Sequence, residues 1–335
     1  MQSQRILHID VARGLGIILV VLGHAERGLA SARIADPQAW QMFDMGLYTF
    51  HMPLFMLLAG LNVPGSLAKG RRSFITGKLW TVGYPYVLWS LVQVSLLVAM
   101  AGHTNSAGQW SSLLRIGWDP VSPFWFLYAL LVYMLVVAAT GVRTAVLVPL
   151  AGLGLIASAF VPGDGIARQL CYQAPFFVIG VVAADAIKGW TARAPLLWAA
   201  GFATAWLAAF RFVPVQGDAP YLTPVAFPAA CAGIACMFAV AQAFGGRAQA
   251  LLARLGQMSM TIYVMHILAT AGTRIIMVRA QVEAPAIVYL IACTAMGLAA
   301  PVIVHLVLER MGLLPAFGLA RPRPERRGSL PAAAA

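Results

Sequence analysis

The sequence predicts an all-α integral membrane protein, a bundle of about ten transmembrane helices with both termini in the cytoplasm. Of its 335 residues, 61% are hydrophobic and only 10% are charged, whereas soluble domains carry roughly 25% charged residues. Apolar runs recur along the whole chain, and each is long enough to cross a hydrocarbon core roughly 30 Å thick. The runs lack the alternation of barrel strands, so helices are the structure that satisfies their backbone hydrogen bonds in lipid.

Ten apolar segments define the predicted spans. They lie near residues 7–25, 45–63, 79–101, 124–141, 144–161, 170–187, 195–212, 222–243, 258–278 and 284–308. The connections between them are too short to hold a separate soluble domain. We therefore expect one membrane domain over residues 1–310 and a disordered, basic cytoplasmic tail over 311–335, which is rich in Pro, Arg and Ala.

The distribution of basic residues predicts the orientation. With the N-terminus inside, sixteen of the 23 Lys and Arg residues fall on the cytoplasmic side and seven on the opposite side. Lys and Arg are enriched in cytoplasmic loops of membrane proteins. In this orientation the chain crosses the membrane several times, and His24 is expected in the outer half of the first helix.

Other protein classes fit the composition less well. The net charge of +12 could suit nucleic acid, but that needs a basic face on a soluble domain, and none is predicted, so no nucleic-acid partner is expected. The four cysteines lie in apolar runs without the spacing of metal ligands, and no metal is expected. A signal peptide is the alternative for the first run, although Asp10 and Arg13 would interrupt its apolar region.

The first span carries three groups that are costly in lipid, namely Asp10, Arg13 and His24. Such groups usually mark a functional site or a buried pair. Arg13 and His24 are eleven residues apart, so on a helix they are about 20° out of phase and roughly 16.5 Å apart along the axis. Asp10 can pair with Arg13. The alternative is that Arg13 snorkels to the interface and His24 only marks a helix end.

The second span adds His51, which precedes Pro53, and contains Asn62 near its end. The first span, from Asp10 through Arg13 to His24, resembles the opening of the membrane acyltransferase-3 family, whose mark is Arg or Lys, ten residues, then His. Three further stretches are similar to family motifs: Phe50 to Gly60, Trp125-Phe126-Leu127, and Leu255-Gly256-Gln257-Met258-Ser259 with Tyr263 and His266. Two departures are Met56 for the family's second Phe and Ala59 for its Ser.

The resemblance implies an acyl-CoA-dependent O-acetyltransferase, most similar to the branch that acetylates sugars of surface polysaccharides. The donor would be cytoplasmic acetyl-CoA, and the acceptor a glycan or lipid-linked sugar in contact with membrane lipid. His24 is the expected general base, because the unperturbed pKa of histidine lies near neutrality. Arg13 and Asp10 would position the donor or the helix, and His51 would line the site.

The remaining candidate residues have open alternatives. Arg71, Arg72 and Lys78 suit the phosphates of coenzyme A, but they serve equally as a topology signal beside anionic lipid. Asn62 and Trp125 are candidate donors to the oxyanion of the transition state. Tyr263 and His266 share a helix face and are expected to line the site. A transporter or flippase, with the charged first helix along its substrate path, is the alternative function.

Overall fold

The structure is a computed structural model that describes residues 6–100 and 108–321. This part of the chain is helical and contains no β-strand. The helices are α1 Leu7–Ser31, α2 Pro37–Gly60, α3 Val63–Leu67, α4 Arg71–Lys78, α5 Tyr84–Ala99, α6 Ser111–Arg115, α7 Trp125–Thr140, α8 Thr144–Ala157, α9 Ile166–Val182, α10 Ala184–Gly189, α11 Pro195–Phe210, α12 Phe227–Ala243, α13 Gly246–Gln257, α14 Ser259–Arg279 and α15 Ala286–Arg310. A π-helical segment, Leu79–Gly83, joins α4 to α5, and 3-10 turns at Pro220–Leu222 and Pro224–Ala226 precede α12.

Six helical segments of the described chain are long and apolar enough to cross a membrane. They are Leu7–Ser31, Pro37–Leu67, Arg71–Ala99, Pro224–Ala243, Ser259–Arg279 and Ala286–Arg310. The other four predicted spans correspond to the shorter apolar helices α7, α8, α9 and α11, of 10–17 residues. A helix of that length rises at most about 25 Å. The fold is that of an α-helical, multi-pass membrane protein, while the count of ten crossings and the side of the termini stay predictions.

The first two helices are longer than predicted where they meet. Helix α1 continues to Ser31 instead of ending near residue 25, and α2 begins at Pro37 instead of near residue 45. The start of α2 is fixed by Asp36, whose side chain accepts a hydrogen bond from the Gln38 backbone N–H at 2.9 Å, and by Pro37 in the first turn. The added turns bring charged residues into the helical bundle.

Helix α1 lies at the centre of the fold and packs against α2, α12, α13, α14 and α15. Its contact with α13 depends on two glycines. A Cβ at Gly14 would overlap the backbone carbonyl of Leu252, and a Cβ at Gly256 would overlap that of Asp10. Small residues allow membrane helices to approach this closely. The N-terminal half of α1 is therefore held against α13, while its C-terminal half faces α2 and α14.

The chain beyond α15 folds back onto α5. The Tyr84 hydroxyl donates to the Ala316 carbonyl at 2.7 Å, and the Trp89 indole N–H donates to the Phe317 carbonyl at 3.1 Å. Residues 311–321, which the sequence assigns to the disordered tail, are thus tied to the bundle by α5 side chains. The rest of the predicted tail, 322–335, lies outside the described residues.

Candidate active site

His24 lies in the C-terminal half of α1, and a backbone hydrogen bond fixes its ring. Its Nδ1 is 2.9 Å from the carbonyl oxygen of Val20, one helical turn earlier. A carbonyl can only accept, so Nδ1 carries the proton and donates it. The lone pair of the neutral ring is then on Nε2, the nitrogen that a general base uses. The backbone of α1 thereby presents His24 in the tautomer that proton abstraction requires.

A second imidazole contacts His24 from α14. The ring centroids of His24 and His266 are 4.8 Å apart at an interplanar angle of 77°. His266 is fully buried, and its Nδ1 donates to the Tyr263 carbonyl at 2.6 Å. Tyr263 lies 6.0 Å from it, ring to ring, and donates its hydroxyl to the carbonyl of Pro123 just before α7. The sequence placed Tyr263 and His266 together in the site, and they lie beside His24.

His51 is buried behind another ring. Its Nδ1 donates to the Leu47 carbonyl at 2.7 Å, and its ring centroid is 4.5 Å from that of Tyr48, at an angle of 89°. Tyr48 in turn lies 6.1 Å from His24, ring to ring. His51 has no exposed surface and lines none of the cavities described below. Its contact with the site runs through Tyr48.

An ion pair that the sequence did not single out joins α1 to α2 beside His24. The Arg27 guanidinium donates twice to Asp44, from Nε at 2.6 Å and from Nη2 at 2.9 Å. The central carbon of this guanidinium, Cζ, lies 3.2 Å from the Tyr48 ring centroid and 5.5 Å from the Tyr221 ring centroid. A cation over an aromatic face is attracted by the ring quadrupole. Arg27 therefore holds two aromatic rings as well as one carboxylate.

Two cavities meet at His24, Arg27, Tyr48 and Ser122, which line both. The first, which we name the inner cavity, measures about 120 Å³ and is also lined by Met52, Pro123, Trp125, Asp164, Gln169, Gln173, Tyr221, Leu222 and Tyr263. The second, the outer cavity, measures about 490 Å³ and is also lined by Ala25, Gly28, Ser31, Gln93, Leu97, Val121, Ile267, Thr270, Ala271, Arg274 and Cys293. Two substrates could thus reach the same imidazole from different sides.

Arg13 and Asp10 form the predicted ion pair at the other end of α1. Arg13 Nη1 is 2.9 Å from Asp10 Oδ1, and Gln257 donates to Asp10 Oδ2 at 3.2 Å. The pair lines neither the inner nor the outer cavity. Between the pair and His24 lies a small slot of about 70 Å³, which we name the apolar slot. It is lined by Ile17, Val20, Met52, Phe55, Phe126, Ser259, Met260 and Tyr263.

The apolar slot and the inner cavity share Met52 and Tyr263. The slot therefore adjoins the inner cavity and extends from it along α1 in the direction of Arg13. Its lining is almost wholly apolar and narrow, which suits an extended chain better than a sugar ring.

The predicted basic cluster lies on α4, apart from His24. Arg71 and Arg72 are exposed at the start of the helix, and Lys78 at its end lies 5.3 Å from the Phe74 ring. Beside them a cavity of about 300 Å³ is lined by Ser73, Thr76, Gly77, Trp80 and Arg321. The three cations thus share one short helix without lining the cavities around His24.

Of the two candidate oxyanion donors, the structure brings only Trp125 to the site. Trp125 begins α7 and lines the inner cavity with His24. Asn62 is exposed after the end of α2, where its amide donates to the Leu58 carbonyl at 3.3 Å. It follows Tyr48 by fourteen residues, or about 21 Å of helix. Helix α2 thus carries Asn62 away from His24 and from both cavities, and its role as an oxyanion donor stays a prediction.

Several polar residues around His24 escaped the sequence reasoning. Arg27 and Asp44 were missed because the predicted spans ended at residue 25 and began at residue 45. Arg274 was one of the seven basic residues assigned to the outer side and was given no role in the site, although it lies within α14 and is 8% exposed. A buried charge inside a span was a usable signal for it. Tyr221 lies in a 3-10 turn between helices and carried no sequence signal.

Residues 6–100 and 108–321 contain no group of three or more His, Cys, Asp or Glu side chains arranged to hold a metal ion. The site around His24 contains an imidazole with its lone pair on Nε2, a guanidinium, and phenolic and indole donors, and these groups surround two joined cavities. Such a set can bind a hydroxyl compound, remove its proton and stabilise developing negative charge.

Comparison with known proteins agrees with the motifs. The sequence model of a family described as an acyltransferase domain, acyltransferase 3, matches residues 6–306. The nodulation protein NolL of Mesorhizobium japonicum is 27% identical over 192 residues, which are 56% of this chain and 50% of the relative. The nodulation protein NolL of Sinorhizobium fredii is 28% identical over 191 residues, again 56% and 50%. No solved structure matches.

The chain spans about half the length of the curated relatives it matches.

Proposed function

The chain belongs to the acyltransferase-3 family, and on that premise we propose that it transfers an acetyl group from acetyl-CoA to a hydroxyl of a surface or exported glycan. His24 is the general base of this reaction. The observation that carries the proposal is the hydrogen bond from His24 Nδ1 to the Val20 carbonyl at 2.9 Å, which leaves the Nε2 lone pair available where two cavities meet.

The two cavities suit the two substrates. The acceptor sugar occupies the outer cavity, which at about 490 Å³ is the larger of the two and has hydroxyl, amide and guanidinium groups in its lining. The acyl thioester enters the inner cavity through the apolar slot, whose narrow, apolar lining suits the extended arm of the donor. The Asp10–Arg13 pair stands at the entrance to this path, and Arg71, Arg72 and Lys78 hold the donor phosphates on the cytoplasmic side.

The proposed reaction has two steps. His24 Nε2 takes the proton of the acceptor hydroxyl while the oxygen of that hydroxyl attacks the thioester carbonyl carbon. The tetrahedral intermediate collapses, the carbon–sulfur bond breaks, and the imidazolium returns its proton to the leaving thiolate. The products are the O-acetyl sugar and free coenzyme A, so no proton or electron is left over.

The oxyanion of the intermediate needs hydrogen-bond donors in a water-poor site. Trp125 lines the inner cavity with His24 and supplies an indole N–H. The Tyr48 hydroxyl is buried without a hydrogen-bond partner among the described residues, and Arg27 lies over its ring. A cation at that face makes the phenol a better donor, so Tyr48 takes the role first assigned to Asn62.

The location follows the predicted topology. The protein crosses the bacterial inner membrane, with the Arg13 end of α1 toward cytoplasmic acetyl-CoA and the His24 end toward a glycan or lipid-linked sugar outside. Acetyl transfer then carries the acetyl group across the bilayer along α1 without a soluble carrier.

Release of coenzyme A thiol tests the proposal directly. The purified protein in neutral detergent is given acetyl-CoA with and without a mixture of cell-envelope glycans, and free thiol is measured with a chromogenic disulfide. We expect acceptor-dependent thiol release by the natural protein and release about 10²–10⁴-fold slower by His24→Ala. A transporter would release no thiol, so the same assay separates the two functions. Thiol release that is unchanged in His24→Ala would overturn the assignment of the base.

A further inference from the structure

The outer cavity contains a buried cation that the reaction chemistry does not use. Arg274 lies on α14 and lines this cavity together with His24, yet its residue is only 8% exposed. Arginine stays protonated in proteins, so the positive charge is permanent. The residues that line the cavity include no carboxylate.

The charge of Arg274 has no acidic counterpart in the described chain. The ion pairs of residues 6–100 and 108–321 are Arg13 with Asp10, Arg27 with Asp44 and Arg115 with Asp119. The recorded hydrogen bond of Arg274 runs from Nη1 to the Gly28 carbonyl at 2.5 Å. A guanidinium has five N–H donors, so this one bond leaves most of them for another acceptor. Burial of a charge is costly unless a counter-charge or hydrogen bonds compensate it.

The backbone of α1 makes room for this guanidinium. A Cβ on Gly28 would lie 2.7 Å from Arg274 Nη1, a contact too short for real side chains. Glycine at this position lets Arg274 rest against α1 one helical turn beyond His24, since residues 24 and 28 share a face. The rise between them is about 6 Å. An anion at Arg274 and a hydroxyl at His24 could thus belong to the same sugar unit.

Neutral polar groups also line the cavity, beside apolar side chains such as Leu97, Val121 and Ile267. Ser31, Gln93 and Thr270 line the same cavity and offer hydroxyl and amide groups to the remaining sugar hydroxyls. Arg27 lines it as well, but Asp44 neutralises that cation. The polar part of the lining therefore favours a ligand that carries hydroxyl groups and negative charge.

We propose that Arg274 binds an anionic group on the acceptor, so that the acceptor is an acidic sugar, with a carboxylate or a phosphate, and not a neutral one. This rests on the proposed function for the role of His24. A planar guanidinium pairs with a carboxylate or phosphate through two parallel hydrogen bonds, which also fixes the orientation of the ligand. Arg274 therefore selects the acceptor and directs one of its hydroxyls toward Nε2 of His24.

Calorimetric titration of the purified protein in neutral detergent tests the anion preference without any turnover. The probes are methyl glucoside, methyl glucuronide and glucose 1-phosphate, which separate a neutral sugar, a carboxylate and a phosphate. We expect the natural protein to bind at least one anionic probe ten- to a hundredfold more tightly than methyl glucoside, as charge-assisted hydrogen bonds provide. Which anionic probe binds more tightly identifies the source of the charge.

Arg274→Gln should abolish this preference, while Arg279→Gln should retain it. Arg279 is a matched control because it lies on the same helix but is exposed and outside the cavity. Arg274→Lys keeps the positive charge but cannot form two parallel hydrogen bonds, so it should retain part of the preference. This variant replaces Arg274→Gln in the test if Arg274→Gln fails to fold. Gly28→Ala should lower the affinity for the anionic probes more than the affinity for methyl glucoside, because the added methyl group displaces the Arg274 guanidinium.

The outcomes separate this inference from the proposed function. Equal binding of all three probes, no binding of either anionic probe, or a preference that survives in Arg274→Gln would each overturn the role of Arg274. Loss of the preference in Arg279→Gln to the same extent would overturn it too. The proposed function fails in a different way, by absence of coenzyme A thiol release with every acceptor.

Discussion

Replacement of His24 by alanine tests the central step of the mechanism. The folding cost should be small, since the side chain makes one local hydrogen bond, to Val20 at 2.9 Å, and such a bond contributes about 1 kcal/mol. The catalytic cost should be larger. Loss of a positioned general base slows a reaction by about 10²–10⁴-fold, which corresponds to about 3–5 kcal/mol of transition-state stabilisation.

The loss should appear in kcat, with the KM for acetyl-CoA nearly unchanged, because proton transfer belongs to the transition state and not to ground-state binding. Steady-state thiol release by protein in detergent measures both constants, and size-exclusion chromatography checks the fold. His24→Gln offers a variant of similar polarity that cannot act as a base and should be equally slow. His8→Ala, on the same helix but outside both cavities, should be nearly normal. Near-normal turnover by a well-folded His24→Ala protein would refute the mechanism.

Three further predictions concern residues around this centre. His51→Ala should lower the unfolding temperature and leave kcat nearly unchanged, because His51 is fully buried behind Tyr48 and its removal leaves a cavity. A loss of kcat as large as that of His24→Ala would contradict this expectation. Arg71→Ala combined with Arg72→Ala should raise the KM for acetyl-CoA about tenfold or more through lost phosphate contacts, and an unchanged KM would leave the pair as a topology signal. Cysteines introduced after Glu309 should resist impermeant thiol reagents added to intact cells, and their labelling from outside would reverse the predicted topology.

The helices and the central imidazole could be predicted from the sequence because both leave strong local signals. Long apolar runs require helices in lipid whatever their neighbours are. His24 stood out because an ionisable residue within such a run is rare. Tyr263 and His266 were found through the resemblance, and in the structure His266 contacts His24 while Tyr263 lines the inner cavity with it.

The rest of the site depends on which helices meet, and a single sequence does not show this. Asn62 looked suitable by chemistry alone, but α2 carries it about 21 Å from Tyr48. Arg27 and Asp44 looked like loop charges because an unpaired charge normally ends an apolar span. In the fold they neutralise each other across α1 and α2, so both helices continue through them.

The Arg27–Asp44 pair allows a final test of how the site is held together. Its side chains are 39% and 22% exposed, so water screens the pair, and its removal should cost about 1–2 kcal/mol of stability, less than the 3–5 kcal/mol of a fully buried pair. Its larger effect should be on the reaction, because Arg27 lies 3.2 Å from the Tyr48 ring centroid. Without Asp44 the guanidinium is free to leave that ring.

Arg27→Ala and Asp44→Asn should therefore each lower kcat, by about tenfold or more if Tyr48 is an oxyanion donor. The double variant should be hardly slower than either single one, since both changes disturb the same tyrosine. Tyr48→Phe provides the reference, because adding Arg27→Ala to it should change little. Losses that simply multiply in the double variant would mean that the two residues act independently, and the ion pair would then have no part in positioning Tyr48.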